Sequence, residues 1–209
     1  GSEMCIRDRV IEEFRKQSIP VVLVNNYLDM DGLVCISADH YGGAVQATEY
    51  LCKLGHCKIG LLSGRFSPQV SEARIEGFVK TLAKYDIPVD DRFIADIEPA
   101  LEDGEEIMTR MLREVDRPTA FFCTNDTIAA GAMKAVTRAG LRVPEDIAII
   151  GFDDSYISRV VEPELTTVRI DAAKMGCLAM QTLFDLIAGM PVEKAHIQIP
   201  TELIVRGTA

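Results

Sequence analysis

The sequence contains no tryptophan, and aromatic residues make up only 6% of it. With hydrophobic residues at 48%, that is ordinary for a globular chain and argues against disorder. Histidine is scarce too: His40, His56 and His196 lie far apart in the chain. The six cysteines (Cys5, Cys35, Cys52, Cys57, Cys123 and Cys177) contain no Cys-x-x-Cys. Without paired His or Cys at ligand spacing, no metal site is expected. Cys35 and Cys123 sit inside apolar runs, where a thiol behaves as a small hydrophobe, and reduced thiols are the expectation. No G-x-G-x-x-G follows a strand, and no G-x-x-x-x-G-K-[ST] is present, so neither phosphate cradle is available and no cofactor is implied. A G-x-S-x-G elbow and an H-E-x-x-H helix are also missing. No apolar run approaches the roughly 18 residues of a membrane span. Positive charge is the last shortage. Lys and Arg number 22 against 32 Asp and Glu, for a net charge of −10. A chain this acidic repels a phosphate backbone, so any contact with DNA must come from residues outside this sequence.

What is present is a regular alternation. Gly1-Ser2 and Glu3 to Arg9 continue no periodic pattern and read as a cloning-derived segment, so fold expectations begin at Val10. Pro20 to Asn25 and Leu33 to Ser37 read as buried strands. Asp39 to Lys53 reads as a helix with Asp39 as N-cap, a face carrying Val45, Thr48 and Cys52, and a stop at Gly55. Strands follow at Lys58 to Ser63, Phe93 to Ile97, Thr119 to Thr124, Ile147 to Phe152 and Thr166 to Ile170. Helices are expected over Val70 to Tyr85, Leu101 to Arg113, Thr127 to Ala139 and Ala172 to Ala188. Gly140 ends the third of these, and Gly189 with Pro191 ends the fourth. Two short strands, His196 to Ile199 and Glu202 to Val205, close the chain. Near-continuous apolar strands alternating with helices mean an α/β protein with parallel sheets covered on both faces.

Polar residues gather just past several of these strands. Asn125 and Asp126 follow Phe121 to Thr124, Asp153 and Asp154 follow Ile149 to Phe152, and Asn25 and Asn26 follow Val21 to Val24. In open α/β sheets, ligands bind beyond the carboxyl ends of the strands. A carboxylate accepts two hydroxyl hydrogen bonds and an amide both donates and accepts, which suits a neutral polyhydroxylated ligand. Asp126 also has the position of an N-cap for the following helix. Asp154 is placed to cap the next segment or face solvent. Asp153 and Asp154 are adjacent, so in extended chain they point to opposite sides and cannot form an acid/base couple in one crevice. Arg74, among Ser71, Glu72 and Glu76, reads by itself as a surface ion pair. His56, in the turn between a helix and a strand, reads as structural. No enzyme is implied.

Taken together, several blocks resemble the LacI/GalR family of transcription regulators. They are Phe122-Cys-Thr-Asn-Asp126, Ala129-Ala-Gly-Ala-Met133, Gly140-Leu-Arg-Val-Pro144-Glu-Asp146 and Ile150-Gly-Phe-Asp-Asp154. Leu54-Gly-His56, Ile59-Gly60, Gly64, Arg74 with Gly77-Phe78, Pro163-Glu-Leu-Thr-Thr-Val168 and Met175-Gly176 join them in register. The likeness runs from Pro20 to Arg206. It implies a periplasmic-binding-protein-like fold of two parallel-sheet subdomains with three crossovers and an effector between them. Mapped here, the crossovers fall near Gly55, Glu162 to Glu164, and Val192 to Ala195. Residues 10–55 and 164–191 would then form a partial, incomplete N-terminal subdomain, and residues 56–163 and 192–209 a C-terminal one. A helix-turn-helix headpiece precedes these in the family and is absent from this sequence.

By the resemblance, Asp153 and Arg74 contact the effector, joined by Asn125, Asn26 and Ile97. Ser67, Gln69 and Ser71 are weaker candidates. His40 departs from the family pattern, which more often has asparagine after Asp39. The function implied is that of the sensing core of a cytoplasmic, homodimeric regulator. It would bind a sugar, related polyol or nucleobase and switch affinity for operator DNA through the headpiece. The alternative is an extracytoplasmic sugar-binding protein of a transport system.

Overall fold

The computed structural model describes residues 3–26, 28, 30, 32–192 and 195–209. The elements begin with α1 (Glu3–Lys16), β1 (Val22–Val24), β2 (Val34–Ala38), α2 (His40–Lys53) and β3 (Ile59–Gly64). They continue with α3 (Pro68–Lys84), β4 (Ile94–Ile97), α4 (Leu101–Met111), β5 (Ala120–Cys123) and α5 (Asp126–Arg138). The last are β6 (Ala148–Asp153), β7 (Thr166–Arg169), α6 (Ala172–Ile187), β8 (His196–Ile199) and β9 (Glu202–Ile204). The chain divides into two compact units, one of Gly1–Ala38 and Asp171–Ile199, the other of Asp39–Ile170 and Pro200–Ala209.

The larger unit is built on a six-stranded sheet in the order β4-β3-β5-β6-β7-β9, parallel except for β9, which runs antiparallel to β7. Side chains alternate across a strand, and two separate cores result. Along β5, Phe121 and Cys123 enter one core with Met108 of α4 and Ala132 and Val136 of α5. Ala120 and Phe122 enter the other with Ala44 and Leu51 of α2 and Phe78 and Leu82 of α3. All four residues of β5 are buried, because both faces of this central strand are covered.

The helix pairs approach closely through small residues. A Cβ on Gly104 of α4 would lie 2.5 Å from the Ile128 carbonyl of α5, and one on Gly77 of α3 would lie 2.7 Å from the Tyr41 carbonyl of α2. The buried face of α2 accordingly runs through Gly43, Ala44, Ala47, Thr48, Leu51 and Cys52. Val45, expected on that face, is only half-buried, since the contact is made by the smallest side chains rather than the branched one. Asp39 caps α2 as expected, accepting from Gly42 N at 2.8 Å. The stops at Gly55, Gly140 and Gly189 have φ of +91°, +74° and +72°, a region where glycine carries no Cβ penalty.

The smaller unit holds a parallel three-stranded sheet, β1-β2-β8. Ile11, Leu33 and Cys35 are its buried apolar cluster. The segment Glu3 to Arg9, which continues no pattern in sequence, belongs to helix α1. The unit boundaries also differ from those expected. The chain changes unit at residues 38/39, 170/171 and 199/200, not near Gly55, Glu162–Glu164 and Val192–Ala195. The reason is pairing and packing: α2 shares a core with Phe122 and Ile150, β7 pairs with β6 through Ile150↔Thr166, and β8 pairs with β2 through Ile36↔Ile197. Glu193 and Lys194, within the last expected crossover, lie outside the described residues.

Among the described residues, Cys35, Cys52, Cys57, Cys123 and Cys177 are free thiols, and no group of His, Cys, Asp and Glu is arranged to hold a metal. No described helix is long and apolar enough to cross a membrane. His56 joins Thr119 Oγ1 at 2.8 Å across the turn before β3, the structural part expected of it.

Candidate functional site

Because β3, β5 and β6 are parallel neighbours, Gly64, Thr124 and Asp153 all lie at the carboxyl end of one sheet. Thr124 ties the first two strands together, its hydroxyl accepting from Gly64 N at 2.7 Å and its own N–H donating to Leu62 O at 2.9 Å. Over this end, α3 delivers Arg74, which is 2% exposed. The surface ion pair read for it from local sequence is therefore wrong. The flanking Glu72 and Glu76 are exposed, but position 74 faces inward with Val70, Gly77 and Phe78 at helical spacing.

Arg74 Nη1 donates to the Thr124 carbonyl, and Nη2 donates to Asp153 Oδ1 at 3.3 Å. Nε and Nη2 also lie 3.4 and 3.2 Å from His40 Nδ1. The rings of Phe152 and Phe66 lie 3.9 and 5.0 Å from the guanidinium carbon, close enough for cation–π attraction. Burial lowers the Arg74 pKa, while Asp153 opposes that shift. Arginine offers only N–H groups, so His40 Nδ1 must be the acceptor and the imidazole proton sits on Nε2. Burial, with Arg74 beside it, takes the His40 pKa down to about 3, and the ring is neutral.

Asp153 closes β6 at φ +109° with a side chain 36% exposed. Burial of the carboxyl lifts its pKa to about 6; Arg74 pulls it down, and Asp126 pushes it up. Asp154, the next residue, is wholly different. Its side chain is 2% exposed and ion-paired with Arg206 at 2.5 Å, Arg169 at 2.7 Å and Arg159 at 3.5 Å. Burial pushes its pKa upward, but the hydrogen bonds from Arg206, Arg169 and Ser158 hold it at about 2. Neither the cap nor the solvated position expected for Asp154 is found. The two carboxyls do face different partners, as adjacency requires.

The pair Asn125-Asp126 also exchanges roles. Asn125 is the N-cap of α5, its Oδ1 accepting from Ile128 N at 2.8 Å, so half of its amide serves the helix rather than a ligand. Asp126, expected as the cap, lies one residue later and is buried. Its carboxylate accepts from Thr167 Oγ1 at 2.5 Å and Ser155 N at 2.6 Å. Burial raises its pKa, and these two hydrogen bonds oppose the rise. Gly151 leaves the space for it, since a Cβ there would collide with Asp126 Oδ1.

The other expected residues are spread more widely. Ile97 ends β4, the edge strand, paired with Gly64 and packed against the core shared by α4 and α5. Ser71 Oγ donates to Gly64 O and accepts from Phe66 N, stapling the loop before α3. Ser67 is the N-cap residue of α3 without a side-chain cap bond, and its Oγ is buried without a partner among the described residues. Gln69 is exposed. Asn26 belongs to the smaller unit, beyond the carboxyl end of β1. The structure thus joins Arg74, Asp153 and Asn125 on one sheet end and adds His40, Phe152, Phe66 and Thr124. The signal for His40 in sequence was only its departure from pattern. Thr167 carried no signal of its own, being one of two threonines in the run Thr166-Thr167-Val168-Arg169.

A half-exposed carboxylate, backed by a cation and flanked by aromatic rings, is an acceptor for hydroxyl or amine donors. Residues 48–209 match the family model of the periplasmic binding protein-like domain. The chain is 34% identical over 205 residues to the probable HTH-type transcriptional repressor ExuR of Bacillus subtilis, covering 98% of this chain and 62% of that protein. Among solved structures, a regulatory protein of the LacI family from Chloroflexus aggregans is similar at TM-score 0.88 and 31% identity, over 95% of this chain and 71% of that one. A LacI family transcriptional regulator from Enterococcus faecium with bound ribose is similar at TM-score 0.87 and 27% identity, over 96% of this chain and 74% of that one.

Proposed function

The chain belongs to the periplasmic binding protein-like family, among the LacI-type regulators, and we propose that it is the ligand-sensing part of a transcription repressor. It binds a small polyhydroxylated effector, and the larger unit contributes Asp153 as the principal acceptor. The observation that carries this reading is the Asp153 carboxylate, held at the end of β6 by Arg74 and left partly open. Likeness to a ribose-bound regulator supports a sugar-like effector, and relatives that are repressors favour regulation over transport and binding over catalysis.

Binding switches the protein only if two conformations differ in affinity for the effector. Operator DNA is contacted by a helix-turn-helix of the kind the relatives are named for. A net charge of −10 makes the residues of this chain poor partners for DNA. The regulator acts in the cytoplasm as a homodimer, matching two-fold operator half-sites.

The test is titration calorimetry against ribose, galactose, cellobiose and adenosine. At least one binds the wild-type chain, and Asp153→Ala weakens that ligand at least about a hundredfold, the loss of two charge-assisted hydrogen bonds. Wild-type affinity in Asp153→Ala, or no binding by any of the four, would overturn the assignment.

A further inference from the structure

Arginine carries five N–H donors, and Arg74 has most of them committed inside the protein. Nε and Nη2 address His40 Nδ1, Nη2 also reaches Asp153, and Nη1 takes the Thr124 carbonyl. The Arg74 side chain is 3% exposed, with Phe152 and Phe66 against the guanidinium. It therefore has no paired edge left for a carboxylate or phosphate, the groups a free arginine fork binds best. Asp153, more than ten times as exposed in side-chain terms, is the charge the site turns outward.

We propose that His40 determines which ligand charge this site accepts: by taking two donors of Arg74 it keeps the cation inward, so the site favours neutral or cationic hydroxyl and amine donors over carboxylates and phosphates. This rests on the reading of the larger unit as an effector-binding element and names the chemistry of that effector. His40 acts through Arg74 as a positioning residue. Its neutral ring is suited to this, because a protonated Nδ1 could not accept. The side chain itself is buried at the start of α2, where Asp39 caps the helix and orients its first turn. An asparagine carries its oxygen about where imidazole carries Nδ1, so His40→Asn keeps the acceptor while His40→Leu removes it.

Two measurements on the full chain separate this proposal from the functional reading. The first needs no ligand: hydrogen exchange of the arginine Nε–H groups by nitrogen-15 NMR, with Arg74→Lys identifying the Arg74 signal. In the wild type, Arg74 exchanges at least about tenfold more slowly than the exposed Arg113; His40→Asn preserves that protection and His40→Leu loses it. Equal exchange of Arg74 and Arg113, or full protection in His40→Leu, would overturn the lock. The second measurement compares galactose with galacturonate, and ribose with ribose 5-phosphate. The neutral member of a pair binds the wild type and His40→Asn at least about tenfold more tightly, and the preference narrows in His40→Leu. An anion that binds the wild type as well as its neutral partner overturns the selectivity. Failure of all four to bind overturns the selectivity with the sugar-sensor reading, while the exchange measurement still decides the lock.

Discussion

Two neighbouring carboxyl groups, Asp153 and Asp154, leave the same strand and meet opposite surroundings. Asp154 is surrounded by Arg206, Arg169 and Arg159, and hydrogen bonds from Arg206, Arg169 and Ser158 pull its pKa to about 2 against the effect of burial. Asp153 has one cation, Arg74, itself divided among three partners, and its pKa climbs to about 6. The lesson concerns balance rather than burial. Desolvation raises both pKa values, and the number and geometry of the donors settle the outcome. One carboxyl binds the fold together: its arginines come from β7, from the segment after β9 and from the turn at Tyr156–Arg159. The other remains underused by the protein, and so suits a ligand.

The sharpest way to break the comparison is the same substitution at both positions. Asp154→Asn removes a buried anion that pairs with the largely buried Arg206 and the more exposed Arg169, and should cost about 3 kcal/mol, the low end for breaking a buried pair. Asp153→Asn retains an oxygen for Arg74 and relieves an unfavourably placed charge, so its change should stay within about 1 kcal/mol. Urea denaturation of the two variants measures the difference, and equal losses would mean that the two environments are energetically alike.

Acid titration gives the next largest effect. The Asp154 pKa is depressed in the folded state, so its contribution is complete above about 4 and fades as pH falls toward 2, a loss of about 2 kcal/mol. The Asp153 pKa is raised, so the folded state holds its proton more tightly and stability declines as pH rises from about 4 to 6. Melting curves from pH 2 to 7 should show a shallower acid limb in Asp154→Asn, the remainder coming from Glu49 and Asp146, and should lose the gentle decline between pH 4 and 6 in Asp153→Asn. A profile unchanged by either substitution contradicts both assignments. The smallest expected effect comes from the layer behind the site. Thr167→Val deletes the hydroxyl bonded to buried Asp126 and should cost about 1 to 2 kcal/mol, read from the urea midpoint. A fully stable Thr167→Val would mean that Ser155 N alone satisfies that carboxylate.

How much could be read in advance depended on the kind of interaction. Strand and helix positions were legible because they follow from local periodicity, as in the fully apolar Ala120 to Cys123 run and the glycine stops. The cap of α5 is Asn125 and not the expected Asp126, since both are competent caps and only the backbone at Asn125, φ −153°, selects between them. The buried face of α2 was shifted because close helix packing rewards Gly43, Ala44 and Ala47 over Val45. Glu3 to Lys16 forms a helix that no periodic signal announced. Residue patterns carried the family, and with it the expectation that Asp153 and Arg74 lie together, which their hydrogen bond at the end of β6 bears out without showing a ligand.

The α/β alternation, the strand ends where polar residues collect, and the likeness that names the family are all written in the order of residues alone. These are local properties, written in side-chain period and turn chemistry. Tertiary structure alone decided which carboxyl is bound up and which is open, that Arg74 is buried rather than on the surface, and that His40 holds it. Those outcomes join residues 34, 50 and 79 positions apart. They rest on desolvation and shared donors, which exist only once β3, β5 and β6 lie side by side beneath α3.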